Sequence, residues 1–138
     1  MASYNKFRSF VEDVAEKVHN LGADALTIAL TAAANAPVNT NTVLANLTQI
    51  SYTNLSTRVV TITGSSQTAG TYSLVGTDLV LTSSGGTTGP LRYVVLYNDT
   101  PTSPADPLIG WWDYGSDITL ADTETLTIDF GSSILTIA

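Results

Sequence analysis

The chain has 138 residues, 43% of them hydrophobic and 12% charged, with 12 acidic side chains against 5 basic ones. A single domain of this size buries about two-thirds of the surface of its unfolded form, so its core needs no disulfide, metal or cofactor. The absence of cysteine and the single histidine exclude disulfides, thiolate chemistry and Cys- or His-pair metal sites, and a formal charge of −7 argues against a nucleic-acid partner.

Within residues 4–18 the apolar side chains Tyr4, Phe7, Phe10, Val11, Val14 and Val18 recur at steps that form one face of an α-helix. The spacing predicts an N-terminal helix within residues 1–22, capped by Ser3 and stopped at Gly22, with Asp13 and Lys17 one turn apart. His19 then falls at the helix end, where an imidazolium complements the carboxyl-end dipole. Over 25–31 the period becomes two, with Leu26, Ile28 and Leu30 on one face, which predicts a first strand. Residues 32–42, rich in Ala and Asn and broken by Pro37, read as loop, and 43–50 fits either a helical turn or an edge strand.

From Arg58 onward the pattern predicts strands at 58–63, 71–75, 78–83, 91–98, 108–114, 117–120, 124–130 and 134–138. Gly76-Thr77 and residues 121–123 are placed to close hairpins, while 83–90 and the proline-rich 100–107 form longer loops. Thr and Ser number 22 and 13, a polar but weakly charged surface that suits pleated sheets. The expected fold is a mainly β, antiparallel β-sandwich of eight or nine short strands over 25–138, with one N-terminal helix, forming one domain. No run approaches the roughly 20 apolar residues of a membrane span, and the N-terminus is too polar for a signal peptide, so no membrane partner and no Sec export are expected.

Chemistry-bearing residues concentrate at Tyr93, Tyr97, Asn98, Asp99, Trp111, Trp112, Asp113 and Tyr114. Neighbouring residues of a strand point to opposite faces, so only one of Trp111 and Trp112 can enter a sandwich core without a bulge. The outer indole is then covered by a loop or the helix, anchors a subunit contact, or forms a carbohydrate platform beside short acids. Tyr93, Tyr97, Trp111, Trp112 and Tyr114 are the candidate protein-interface residues. The aspartates at 99, 106, 113, 117 and 122 match no EF-hand spacing and read as a solvated rim. Arg58 and Arg92, facing eight carboxylates from residue 58 onward, are expected in ion pairs. No residues are assigned to catalysis, a cofactor or a metal.

The run GPLRYVVLYNDTP at 89–101, then PLIGWWDYG at 107–115, ITL at 118–120 and ETLTIDF at 124–130, resembles a group of small proteins of tailed bacteriophages. YNKF at 4–7, FVED at 10–13 and VHNLG at 18–22 resemble the start of the same group, so the likeness spans nearly the whole chain. The resemblance implies a virion protein of the capsid decoration, or cement, type. It would be made in the host cytoplasm and seated on the outer capsid surface, with the major capsid protein and copies of itself as partners, as a homo-oligomer such as a trimer. A tail or fibre-associated module is the alternative, and a carbohydrate-binding module a second. The third reading extends to a hydrolytic module using Trp111 or Trp112 with Asp113, but enzyme activity is not the expectation.

Overall fold

The computed structural model describes residues 2–138. It is mainly β, with nine antiparallel strands and one short helix among the described residues. Strand β1 is Asn5–Lys6, α1 is Ser9–Ala15, β2 is Leu26–Thr31, β3 is Ile62–Thr68, β4 is Thr71–Gly76 and β5 is Leu79–Thr82. Strand β6 is Thr88–Asn98, β7 is Leu108–Leu120, β8 is Thr125–Ile128 and β9 is Leu135–Ile137. The central sheet has the order β1-β7-β6-β2, and two smaller sheets, β3-β4-β9 and β5-β8, lie over one of its faces.

The helix is shorter than its sequence pattern predicts. Residues 5–6 pair with β7, and the helical turn starts at Ser9 after Arg8, with no side-chain cap from Ser3 or any other residue. It ends well before Gly22, because Lys17 takes a left-handed conformation (φ 65°) and the N–H groups of Lys17 and Val18 donate to the carbonyls of Val14 and Asp13. Those two bonds form a Schellman stop. Lys17 is therefore outside the helix, and His19, expected at the helix terminus, is carried into the interior instead.

Alternation predicts a single apolar face for β2, yet all six of its residues are buried. Leu26, Ile28 and Leu30 pack with Val94, Leu96, Leu74 and Leu135 in the main core between the layers. On the other side Ala29 joins Phe7, Val95, Tyr97 and Leu108, covered by Leu44, Leu47 and Trp111. The cover comes from Leu44 and Leu47 of the excursion 32–57, whose later residues Ile50, Tyr52 and Leu55 pack against the main core; a 3₁₀ turn at Leu44–Asn46 settles the ambiguity at 43–50 in favour of a helical turn. This excursion is tied to the sheet by the N–H groups of Arg8, Ile50 and Leu108, bonded to the carbonyls of Asn39, Leu30 and Thr42, and by the Leu44 N–H bonded to Asp106. Residues 58–60 then return along the free edge of β2, where Ile28 N–H donates to Arg58 O and Val60 N–H to Leu26 O, each at 2.9 Å.

Neither of the two expected short hairpins forms. β4 and β5, flanking Gly76-Thr77, pair with other strands, β4 with β3 and β9 and β5 with β8. β8 likewise leaves β7 and pairs with β5, although only four residues separate β7 from β8. The tight hairpin joins β3 to β4 through Ala69 and Gly70, whose φ values of 50° and 83° give the doubly left-handed turn that matches strand twist. Segments 108–114 and 117–120 are one continuous strand, β7.

Gly110 faces Leu96 across the β6–β7 pair, and a Cβ there would run into the ring of Tyr4 and come within 2.8 Å of the Asn5 carbonyl oxygen. Gly110→Ala is therefore expected to unseat Tyr4 and β1 and to lower stability by about 1–3 kcal/mol, the range of overpacked cores. Urea denaturation of the variant checks it.

Candidate functional site

The pleat of β7 places the two tryptophans on opposite faces, as their adjacency demands. Trp111, opposite Val95, lies against Phe7 with ring centroids 4.6 Å apart, on the face covered by Leu44 and Leu47. Trp112, opposite Val94, faces the main core and packs between Tyr4 (5.5 Å) and Phe130 (6.0 Å). Each indole thus meets an aromatic ring of the same N-terminal segment, and neither projects freely. Burial pushes the Tyr4 phenol well above its usual range, as an uncharged ring in an aromatic stack requires.

The remaining candidates separate. Tyr97 is only 5% exposed and belongs to the second core, so it has no surface to offer a partner. Tyr93 is half-buried beside the Arg92 guanidinium, 5.3 Å from its ring centroid. Tyr114 is 56% exposed and is the one aromatic of the group that stands out of the fold. It lies on the same side of β7 as Trp112 and borders an apolar cleft of about 180 Å³. Trp112, Leu126, Ile128 and Phe130 line the cleft, with Ala2 and Asp129 at its rim. A space of that size accepts one aliphatic or aromatic side chain of a partner.

Arg92 and Asp113 form a two-point ion pair, with Nε to Oδ1 at 2.8 Å and Nη2 to Oδ2 at 3.0 Å. The guanidinium, joined by the Gly115 N–H, holds the Asp113 carboxyl below the usual carboxylate range. Arg58, expected in an ion pair, has no carboxylate partner within salt-bridge distance among the described residues. It stacks 3.7 Å over the Tyr52 ring and donates to the Ile28 carbonyl. Tyr52 in turn accepts the Leu30 N–H at 2.9 Å and donates to Gln49 at 2.8 Å, so this cation fastens the excursion to the edge of β2.

The aspartate rim resolves into separate turns. Asp117 accepts the Ala33 N–H (3.0 Å) and Asp122 the Gly85 N–H (2.9 Å). Asp106, itself in a left-handed conformation (φ 50°), has its carboxyl pushed up by burial and by neighbouring Asp99. Among the described residues no three acidic or histidine side chains converge as a metal-ion site would require. Asp129 is the one carboxylate among the described residues that lines the apolar cleft, and it accepts the Gly131 N–H at 2.7 Å.

The chain matches no family model, no curated protein and no solved structure. Its site is accordingly defined by its own geometry, an exposed Tyr114 beside an apolar cleft. Sequence reasoning named Tyr114 and Trp112 but missed Leu126, Ile128 and Phe130, which reach the cleft through the pairing of β8 with β5. That pairing sets Leu79 opposite Ile128 and Thr82 opposite Thr125, residues far apart in the chain, and no local pattern encodes it.

Trp111→Ala and Trp112→Ala are each expected to lower stability by about 2–4 kcal/mol, somewhat below the figure for fully buried aromatics, measured by chemical denaturation. Arg92→Ala is expected to return the Asp113 carboxyl upward toward its usual range, read by NMR titration of the side-chain carbonyl. Because that carboxyl is depressed in the folded protein, its stabilising contribution is present above the usual carboxylate range and drains away as pH falls through the folded value. The variant keeps only the part of this drain that the Gly115 N–H supplies.

Proposed function

We propose that this protein is a non-enzymatic structural component of a bacteriophage virion, a head decoration or cement protein seated on the outer capsid lattice against the major capsid protein and copies of itself. The observation that carries the reading is where the phage-like runs fall in the fold. Residues 89–101 make up nearly all of β6, 107–115 the first half of β7, and 124–130 contain β8. The likeness thus takes in the strands that build the central hairpin and line the cleft, together with the N-terminal segment that packs on them, which supports a shared scaffold and docking surface.

The surface chemistry supports the same reading. A Ser- and Thr-rich exterior with a net charge of −7 keeps a protein soluble at high copy number before assembly. Tyr114 and the cleft beside it supply the kind of aromatic anchor and apolar pocket that carry most of the energy of a small contact. Repetition over a lattice multiplies such contacts into a stable shell.

Quantitative mass spectrometry of purified virions is expected to find the protein at hundreds of copies per particle. A handful of copies would move it to the tail or fibre. Tyr114→Ala is expected to weaken binding to capsids by about 2 kcal/mol, the cost of losing an anchor residue. The same exposed change should alter the stability of the isolated protein by less than about 0.5 kcal/mol. Capsid pull-down alongside thermal denaturation measures both.

A further inference from the structure

The single histidine sits at a buried crossing of three parts of the chain. Its side chain is 0% exposed, with Phe10 of α1 against its ring at 5.3 Å. Nδ1 is 3.1 Å from Nδ2 of Asn98, the last residue of β6, and Nε2 lies 3.9 Å from Asp13, beyond hydrogen-bond reach and without an acceptor.

The orientation of the Asn98 amide is fixed by two partners whose roles cannot change. Its Oδ1 accepts the Thr100 backbone N–H at 3.1 Å, and its Nδ2 donates at 2.6 Å to Asp24 Oδ2, which also accepts the Asn20 N–H at 2.8 Å. The second hydrogen on Nδ2 therefore points at His19, and Nδ1 must accept it. This requires neutral imidazole with its hydrogen on Nε2. A proton added to His19 would go to Nδ1 and face an amide N–H. Turning the amide over would set its oxygen against the Asp24 carboxylate and its NH₂ against the Thr100 N–H, so the amide flip does not accommodate the charge.

The same cluster fastens the segment that precedes the sheet. Ala25 N–H donates to Thr100 Oγ1 and Asp99 N–H to Ala25 O, both at 2.8 Å, next to the His19–Asn98–Asp24 bonds. We propose that His19 is a proton-controlled latch that holds α1 and the following loop, residues 9–25, on the end of β6 at neutral pH and frees them in acid. This latch stands independently of the virion reading.

The charged and titratable groups around His19 are Asp13 on α1, with Glu12 and Glu16 beside it, Asp24 in the loop, and Tyr72 of β4 across the adjoining cleft, which Ser65 of β3 and Ile137 of β9 also line. Burial lowers the imidazole below its ordinary value, and Asp24 offsets only part of that. The closed segment thus takes up a proton less readily than the open one, so the latch is at full strength above about pH 6.5 and weakens as pH falls below it. Asp13 acts in the opposite sense, because burial and its two glutamate neighbours raise its carboxyl and it gains a proton more readily when folded, at lower pH.

Amide hydrogen exchange of the full chain, corrected for intrinsic rates, tests the latch together with an NMR titration of the His19 ring. Residues 9–25 are expected to lose protection severalfold between pH 7 and pH 5 while β2 and β6 stay protected. His19→Asn keeps an acceptor near the Nδ1 position but cannot gain a proton, and should show the same protection at both pH values. Unchanged protection of 9–25 in the wild type, an equal loss in His19→Asn, or a His19 that titrates at or above about pH 6.5 would each overturn the proposal. The ring titration, made on the wild type, decides even if the variant does not fold.

Discussion

Everything in this fold depends on a central sheet in which β2 and the C-terminal half of β6 are buried on both faces. β2 is LTIALT with every residue buried, and β6 buries residues 94–98 without a break. A sheet of that composition is stable only between two covers, since each large aliphatic side chain withdrawn from water contributes about 1.5–3 kcal/mol and leaving one face open forfeits it. The two smaller sheets cover one face. The other is covered by irregular chain around Leu44 and Leu47 and by Phe7, while Ile50, Tyr52 and Leu55 of the same excursion turn to the main core. Covering with irregular chain has a cost in polar groups, and Thr27 and Thr31 of β2 bury hydroxyls without hydrogen-bond partners beneath it.

The sequence shows this architecture unevenly, for identifiable reasons. Period-two patterning marks strands because it reflects the pleat, and most strands after residue 70 lie close to where the alternation puts them, whereas the strand expected at 58–63 forms at Ile62–Thr68 and β6 starts at Thr88, inside the expected 83–90 loop. Alternation says nothing about partners. Gly76-Thr77 looks like a hairpin turn, but Leu74 and Leu81 both enter the main core, which draws β4 toward β9 and β5 toward β8. The N-terminal pattern misleads in a different way. Tyr4 and Phe7 are three residues apart, as on a helix face, yet they lie in extended chain and cover opposite faces of β7, one against Trp112 and one against Trp111. A step of three reads as helix only when the chain between is helical, and β1 pairing with Trp111 and Gly110 makes it extended.

The candidate site is half legible. That Trp111 and Trp112 face opposite ways comes from adjacency alone, whereas the Tyr4 and Phe7 rings that meet them belong to the far end of the chain and are brought there by tertiary contact. Tyr97 is indistinguishable from Tyr114 in sequence. Tyr97 falls where Leu44 and Leu47 cover the sheet, whereas Tyr114 stands at an open cleft, so the difference in their exposure is a property of the covers and not of the strands that carry them.

The N-terminal segment is the element on which both halves of that site depend. It supplies Tyr4 to Trp112, Phe7 to Trp111 and Ala2 to the rim of the cleft, yet its only regular pairing is the two-residue β1 on the edge of β7. So short a strand has little backbone hydrogen bonding of its own to resist fraying, and its position is set by its side chains and by the helix after it. Phe7 and Phe10 are buried in different cores, which pins the segment from both sides of the sheet. The cleft is lined by residues of β6, β7 and β8, by Asp129 and Phe130 just beyond β8, and by Ala2 of this segment, while Tyr4 holds the Trp112 ring that lines it. A change in how the segment sits would therefore reshape an exposed apolar surface that combines a pocket with a projecting aromatic, without disturbing the strands beneath.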